Sequence, residues 1–230
     1  MRIIAFLLVL PAILFAASFS DDFESYTPPV DLGNSSDWFH LDPSGNLLVT
    51  EEAGNNFVES EWDGNEAIAY LCMGSVILLD GEISSDVKFS GNNTIIGLMT
   101  RISASSGECY FGGIFPLYPP IGATVIGHIN SSGEYTILSN DYFYPMDEDT
   151  WYNISLEVTG TTQVELGLSI DGTVNSSCTD STYLIQEGFA GLASMYQNAE
   201  PMTCYDNFSV VDYGAALTAT TFGGIKALFR

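Results

Sequence analysis

The sequence predicts an all-β fold, a two-sheet antiparallel sandwich, on three observations. Short segments alternate apolar and polar residues with a period of two. Glycine-containing turn dipeptides separate them. Two phrases bracket the series, Asp21-Asp22-Phe23-Glu24 near the start and Tyr205-Asp206-Asn207-Phe208-Ser209-Val210 near the end. The bracketing phrases are expected to form first and last strands that lie side by side. No stretch between them has a convincing helical pattern.

The chain opens on a targeting segment. Arg2 supplies a positive start, Ile3 to Phe15 form an uncharged apolar run, and Ala16-Ala17-Ser18 offers the small residues a signal peptidase reads. The run is shorter than the ~20 residues a spanning helix needs. Residues 1–18 are therefore taken as a signal peptide, with cleavage after Ser20 as the alternative, and the mature chain as secreted or held at the cell surface with no transmembrane segment. Residues 19–213 form one sandwich domain, since all-β domains of this size are commonly single. Residues 214–230 form a linker and tail.

Strand signals follow in order. Ile83, Val87 and Phe89 share one face while Ser84, Asp86 and Lys88 share the other. Ile154, Leu156 and Val158 alternate with Asn153, Ser155, Glu157 and Thr159, and Val164, Leu166, Leu168 and Ile170 alternate with Glu165, Gly167 and Ser169. One apolar face and one polar face is the pattern of a sandwich strand with a wet side. Asp80-Gly81 and Asp171-Gly172 suit tight hairpins, because glycine takes positive φ without penalty. Phe115 to Pro120 contains three prolines. It is expected to be a rim loop rather than a central strand, because proline lacks a ladder donor. About 12 to 14 strands are expected in all.

Further phrases carry a family resemblance. Gly97-Leu98-Met99-Thr100-Arg101, Tyr110, Trp151-Tyr152-Asn153-Ile154-Ser155-Leu156, Asp171-Gly172 and Gly188-Phe189-Ala190-Gly191-Leu192 occur in this order. Together with the bracketing phrases they resemble the concanavalin A-like lectin/glucanase superfamily, including laminin-G-like jelly rolls. The resemblance covers Asp21 to Val211 and implies a jelly-roll sandwich. It does not choose among lectins, adhesion modules, hydrolases and lyases.

Charge narrows the partners. The formal net charge is −24, with five Lys and Arg against 29 Asp and Glu. Such a surface repels phosphate backbones and anionic lipid. It also disfavours polyanionic substrates such as alginate or pectate, leaving neutral glycans and divalent cations as compatible partners.

Catalysis finds little support. Glu61, Asp63 and Glu66 match the E-x-D-x-x-E spacing of retaining glucanases, whose paired carboxylates act as nucleophile and general acid. Here Asp63-Gly64-Asn65 is a turn signature, which breaks the alternation that would aim all three inward. A solvated acidic turn is the better account, with a glucanase-type hydrolase as the alternative function. A non-catalytic carbohydrate-binding or adhesion module is the first reading, and a structural surface protein the third. Arg101, Tyr110, His128, Tyr135, Trp151 and Tyr152 are the expected ligand-binding residues, lining the concave sheet by aromatic stacking and planar hydrogen bonding.

Asp206 shares strand parity with Phe208 and Val210, so it is expected near the interior. Basic partners are scarce and Asp22 and Glu24 should be close. Clustered carboxylates without cations favour structural Ca²⁺, so Asp22, Glu24 and Asp206 are the expected ligands, capping of loop N–H groups by Asp206 being the alternative. No organic cofactor is expected. Four cysteines in an oxidising compartment favour two disulfides among three pairings, here Cys72–Cys204 and Cys109–Cys178, four reduced buried thiols being the alternative. Six N-x-S/T sequons occur, at Asn34, Asn92, Asn130, Asn153, Asn175 and Asn207. The tail, Thr221 to Arg230, is apolar with Lys226 and Arg230. It resembles short sorting or anchoring tails of exported bacterial proteins, although Phe222 stands where those carry Trp. A frayed end or a short helix docking on the sandwich is the alternative.

Overall fold

The computed structural model describes residues 18–42, 46–61, 67–72, 77–92, 94–118, 120–196 and 202–213. Residues 1–17 of the expected signal peptide and the expected tail, residues 214–230, lie outside them, while Ser18, the last residue of that expected peptide, opens the first strand. The described strands are β1 (Ser18–Asp21), β2 (Val30–Asp31), β3 (Trp38–Asp42), β4 (Asn46–Glu52), β5 (Asn55–Glu61), β6 (Ala67–Cys72), β7 (Gly81–Ser90) and β8 (Thr94–Ile102). The series continues with β9 (Cys109–Tyr118), β10 (Ile121–Ile129), β11 (Tyr135–Pro145), β12 (Tyr152–Thr159), β13 (Val164–Ile170), β14 (Thr173–Asp180), β15 (Phe189–Tyr196) and β16 (Met202–Asp212). They form two antiparallel sheets. The large sheet has nine strands, ordered β14-β13-β12-β7-β16-β5-β4-β2 with β1 also on β16, and the small sheet has seven, ordered β11-β10-β9-β8-β15-β6-β3. The all-β jelly-roll sandwich expected from sequence is the fold. Among the described residues no helix is long and apolar enough to cross a membrane.

Alternation builds the core. The buried and half-buried positions of β7 alternate throughout, with Ile83, Val87 and Phe89 inward. Ile154, Leu156, Val158, Val164, Leu166, Leu168 and Ile170 of β12 and β13 join them, facing Ile96, Leu98, Ile114, Ile126 and Leu192 of the small sheet. Each such side chain contributes about 1.5–3 kcal/mol when fully buried.

The bracketing phrases meet. Strand β1 pairs with β16 from Ser18↔Val211 to Asp21↔Phe208. Asp21 accepts from the Trp38 indole Nε1 at 2.9 Å and the Tyr26 hydroxyl at 2.9 Å. Trp38 packs edge-on against Phe208 with ring centroids 5.0 Å apart. This carboxylate and aromatic cluster closes the sandwich where the termini of the domain adjoin.

Two turn expectations divide. Asp171 and Gly172 both take positive φ (49° and 73°) and join β13 to β14, the backbone a tight hairpin requires. Asp80-Gly81 is not a hairpin turn, because β6 and β7 belong to different sheets. Gly81 instead opens β7 beside Asp212, where an added Cβ would lie 2.4 Å from the Val211 carbonyl oxygen. The expected Phe115–Pro120 loop is largely strand: β9 continues to Tyr118, with Pro116 opposite Gly122 of β10. The proline is tolerated because β8 pairs with β9 only as far as Ile114, so no partner on that side requires its missing N–H.

Candidate functional site

The expected concave-face cluster does not assemble. Arg101 is fully buried. It adopts φ +53° at a register shift between β8 and β15, and this bulge turns its side chain inward while Met99 and Ile102 keep to the outer cluster. Its guanidinium donates to the carbonyls of Ile185 (2.7 Å), Gly160 (2.8 Å) and Leu79, and it lies 3.4 Å from Asp80. Arg101 therefore ties three loops together at one end of the sandwich and is not available to a ligand. Burial pulls its pKa down, partly offset by Asp80.

Tyr110 and His128 are cross-strand partners on β9 and β10 and also point inward. The Tyr110 hydroxyl donates to Asp180 at 2.6 Å. His128 stacks on Tyr183 with ring centroids 3.6 Å apart and pairs through Nε2 with Glu108 Oε1 at 3.0 Å. Tyr152 is buried, stacks on Phe89, and its hydroxyl accepts from the Asp147 N–H at 2.7 Å. Tyr135 alone of this group stands on the outer face of the small sheet, edge-on to Phe111. That face is built largely of apolar side chains, among them Ile95, Met99, Phe111, Val125, Ala193 and Met195. A bulge at Arg101 reverses the alternation that would place it beside Met99.

Trp151, like Tyr135, is exposed, but it stands on the outer face of the large sheet. It is 38% exposed and packs edge-on to Phe57 with centroids 5.9 Å apart. The Lys88 ammonium lies 5.0 Å from the Trp151 ring centroid and 5.1 Å from that of Phe57, with Glu52 at 3.6 Å. Beside this platform runs a row of planar polar side chains. Asn153 and Asn207 donate to Asp86 at 2.8 and 2.9 Å, and Asn55 donates to Asp206 at 3.0 Å. The row exists because a second bulge, with Asn207 at φ +50°, interrupts β16 pairing between Asp206 and Ser209. Lys88, Asp86 and Asn153 were visible in sequence as the polar positions of β7 and β12. Phe57 gave no signal there and Asn207 only as part of the closing phrase and a sequon, since their neighbourhood depends on pairing among β5, β7 and β16.

The expected calcium ligands are engaged otherwise. Asp22 accepts from the Glu24 N–H and Glu24 from the Asn56 N–H. Asp206 accepts from Asn55 and from its neighbour Asn207 N–H at 2.7 Å, as a cap does. Among the described residues no three His, Cys, Asp or Glu side chains converge as a metal site would require. Burial pushes the Asp206 carboxyl above its usual range, Asn55 and Asn207 oppose this, and the charges of Asp86 and Glu24 reinforce it. Glu61 ends β5; Asp63 and Glu66 lie outside the described residues.

The expected Cys109–Cys178 bond is absent, both residues being free thiols. Cys109 belongs to the outer cluster of the small sheet and Cys178 packs against the core between the sheets, so that sheet separates them. Cys204 is also a free thiol. It alternates with Thr203 and Tyr205, which reach Ser194 of the small sheet, so it faces outward beside Lys88 and Glu59. Cys72 ends β6 in the small sheet. The outward direction of Cys204 works against the expected Cys72–Cys204 bond.

No protein-family model matches the chain, and no curated protein matches it. Solved structures do. The carbohydrate-binding module CBM66 from Bacillus subtilis is 14% identical, covering 78% of this chain and 94% of that one, with a TM-score of 0.51. A Bacillus subtilis protein of unknown function with a galectin-like fold is 15% identical, over 84% and 94%, with a TM-score of 0.58. The Bacillus licheniformis β-glucanase is 10% identical, over 85% and 98%, with a TM-score of 0.55. These likenesses show the fold alone: the chain is folded as a two-sheet jelly roll like those proteins.

Proposed function

We propose that this chain is an exported, non-catalytic module that binds a neutral glycan on the outer face of the large sheet. The observation that carries the reading is Trp151: a half-exposed indole beside a row of planar amides and carboxylates. An indole face packs on the C–H face of a sugar ring, while Asn and Asp side chains hydrogen-bond its hydroxyls. The strongly acidic chain favours a neutral polysaccharide over an anionic one. Carbohydrate-binding and glucanase proteins among the structural neighbours support a glycan partner without choosing between binder and enzyme. A glycan array read with wild type and Trp151→Ala tests binding, and a reducing-sugar assay on the retained glycans tests the competing reading of a glucanase-type hydrolase. Binding lost in the variant, without sugar release by wild type, is the expected pair of results.

A further inference from the structure

Beyond the Asp86 row, the outer face of the large sheet holds a hollow of about 400 Å³ bordered by Ser20, Asp22, Tyr26, Asp37, Asn207 and Ser209. Small-molecule sites commonly measure ~300–1,000 Å³. Its place follows from strand order. β7 flanks β16 along one side from Met202 to Asp212. On the other side β5 pairs with Cys204 and Tyr205, and β1 with Phe208 to Val211. Between these two partners, among the described residues, Asp206 and Asn207 face no strand on that side, and here β16 carries its bulge. The chain leaving β1 turns beside this gap, fixed by Asp21, which accepts from the Phe23 N–H, the Tyr26 hydroxyl and the Trp38 indole. The hollow is therefore shaped by the same cluster that closes the sandwich.

Small side chains keep its floor open. Ser20 and Ser209 are cross-strand partners, and Ser209 stands opposite Ser84 of β7. Ser209 alternates with the buried Phe208 and Val210, so it faces outward. The lining offers hydroxyls, the Asn207 amide and the carboxylates of Asp22 and Asp37, and its described residues include no Lys or Arg.

Asn207 belongs to two places at once. Its Nδ2 donates to Asp86 at 2.9 Å in the row beside Trp151, and it borders the hollow. Along β7, Ser84 lies four residues from Lys88, whose ammonium is 5.0 Å from the Trp151 ring centroid. Four residues of strand span roughly 13 Å, so a ligand reaching from the indole to the hollow is longer than one sugar ring.

We propose that this hollow is a second glycan subsite, so that the module holds an oligosaccharide running from Trp151 past Asp86 and Asn207 into it. The proposal rests on the glycan reading of Trp151. One ring is held there by stacking, and another in the hollow by hydrogen bonds from its hydroxyls to Ser209, Asn207, Asp22 and Asp37. The two carboxylates accept from neutral sugars and repel sugars that carry acids.

Isothermal titration with cello-, xylo-, manno- and laminari-oligosaccharides, from disaccharide to hexasaccharide, tests this. Wild type, Trp151→Ala, Ser209→Leu and Asp37→Leu are compared, each checked for folding by thermal unfolding. Ser209→Leu fills the hollow from its floor and Asp37→Leu from its rim. Wild-type affinity within the bound series is expected to rise about tenfold with length, the scale of one hydrogen bond to a charged group. Both leucine variants lose that rise, whereas Trp151→Ala weakens binding at every length. Trp151-dependent binding without a gain from length overturns the second subsite and leaves the Trp151 reading standing. A gain that survives in folded Ser209→Leu, or in Asp37→Leu if the first variant misfolds, does the same. Wild type that binds no member of any series overturns both.

Discussion

The Arg101 guanidinium and the Gly160 carbonyl meet at 2.8 Å inside the end of the sandwich. Arg101 also holds the carbonyls of Ile185 and Leu79, so one cation orders the chain before β7, after β12 and before β15. Its removal leaves these acceptors buried without a donor. Arg101→Met is expected to lose about 1–3 kcal/mol, the scale of acceptors left unsatisfied. Denaturant unfolding measures it, and a loss confined to ligand affinity with unchanged stability would contradict this assignment.

Asp180 has the opposite chemistry at the same end. Burial raises its pKa, but hydrogen bonds from Tyr110 and from the N–H groups of Thr182, Leu184 and Tyr183 outweigh it, and the carboxyl ends below its usual range. A depressed folded pKa stabilises above the unfolded value near 3.9 and loses that stabilisation as pH falls through the folded value. Tyr110→Phe is expected to lose about 1.5–3 kcal/mol at pH 7, as for a hydrogen bond to a charged group. The deficit shrinks below about pH 4, which unfolding curves across pH would show.

The sequence made the period-two strands legible because each residue's side follows from its neighbours'. Ile83, Val87, Leu156 and Leu168 are inward as their alternation requires. The adjacency of β1 and β16 was legible because Asp21 and Phe208 occupy the bracketing phrases. The proposed binding face was not. At Arg101 and Asn207 a positive φ breaks the alternation, and nothing in the flanking residues announces it. The Trp151 surroundings join β5, β7 and the start of β12, a neighbourhood set by sheet order rather than by sequence spacing.

Asp206 lies opposite Asp86 in register, a like-charged pair across strands. Its raised pKa has the reverse sign to that of Asp180: the contribution is present below the unfolded value near 3.9 and lost as pH rises through the folded value. Asp206→Asn is therefore expected to stabilise the protein at pH 7 by about 0.2–1 kcal/mol and to approach wild type near pH 4. Thermal unfolding measures this. Calcium or chelator should leave the wild-type melting temperature in place, because the carboxylates are held by internal donors.

The thiols supply a chemical check on the core. Burial pushes Cys109 and Cys204 up to about 12, and Cys178 up to about 11, so little thiolate exists at neutral pH. In native protein these three are expected to react slowly with a thiol-labelling reagent, and all three rapidly after denaturation without reductant. A Cys109–Cys178 peptide pair recovered from non-reduced digests would contradict the placement of Cys109 on the outer side of the small sheet and of Cys178, on the large sheet, on its inner side.

The most direct measurement is the affinity of wild type, Trp151→Ala and Tyr135→Ala for the neutral polysaccharides retained on the array, by affinity electrophoresis with folding checked by thermal unfolding. Trp151 is on the outer face of the large sheet and Tyr135 on the outer face of the small one. The account predicts a loss of tenfold or more in Trp151→Ala, about 1.4 kcal/mol, and no change in Tyr135→Ala. Retention that survives Trp151→Ala but is lost in Tyr135→Ala would move the site to the small sheet and contradict the assignment.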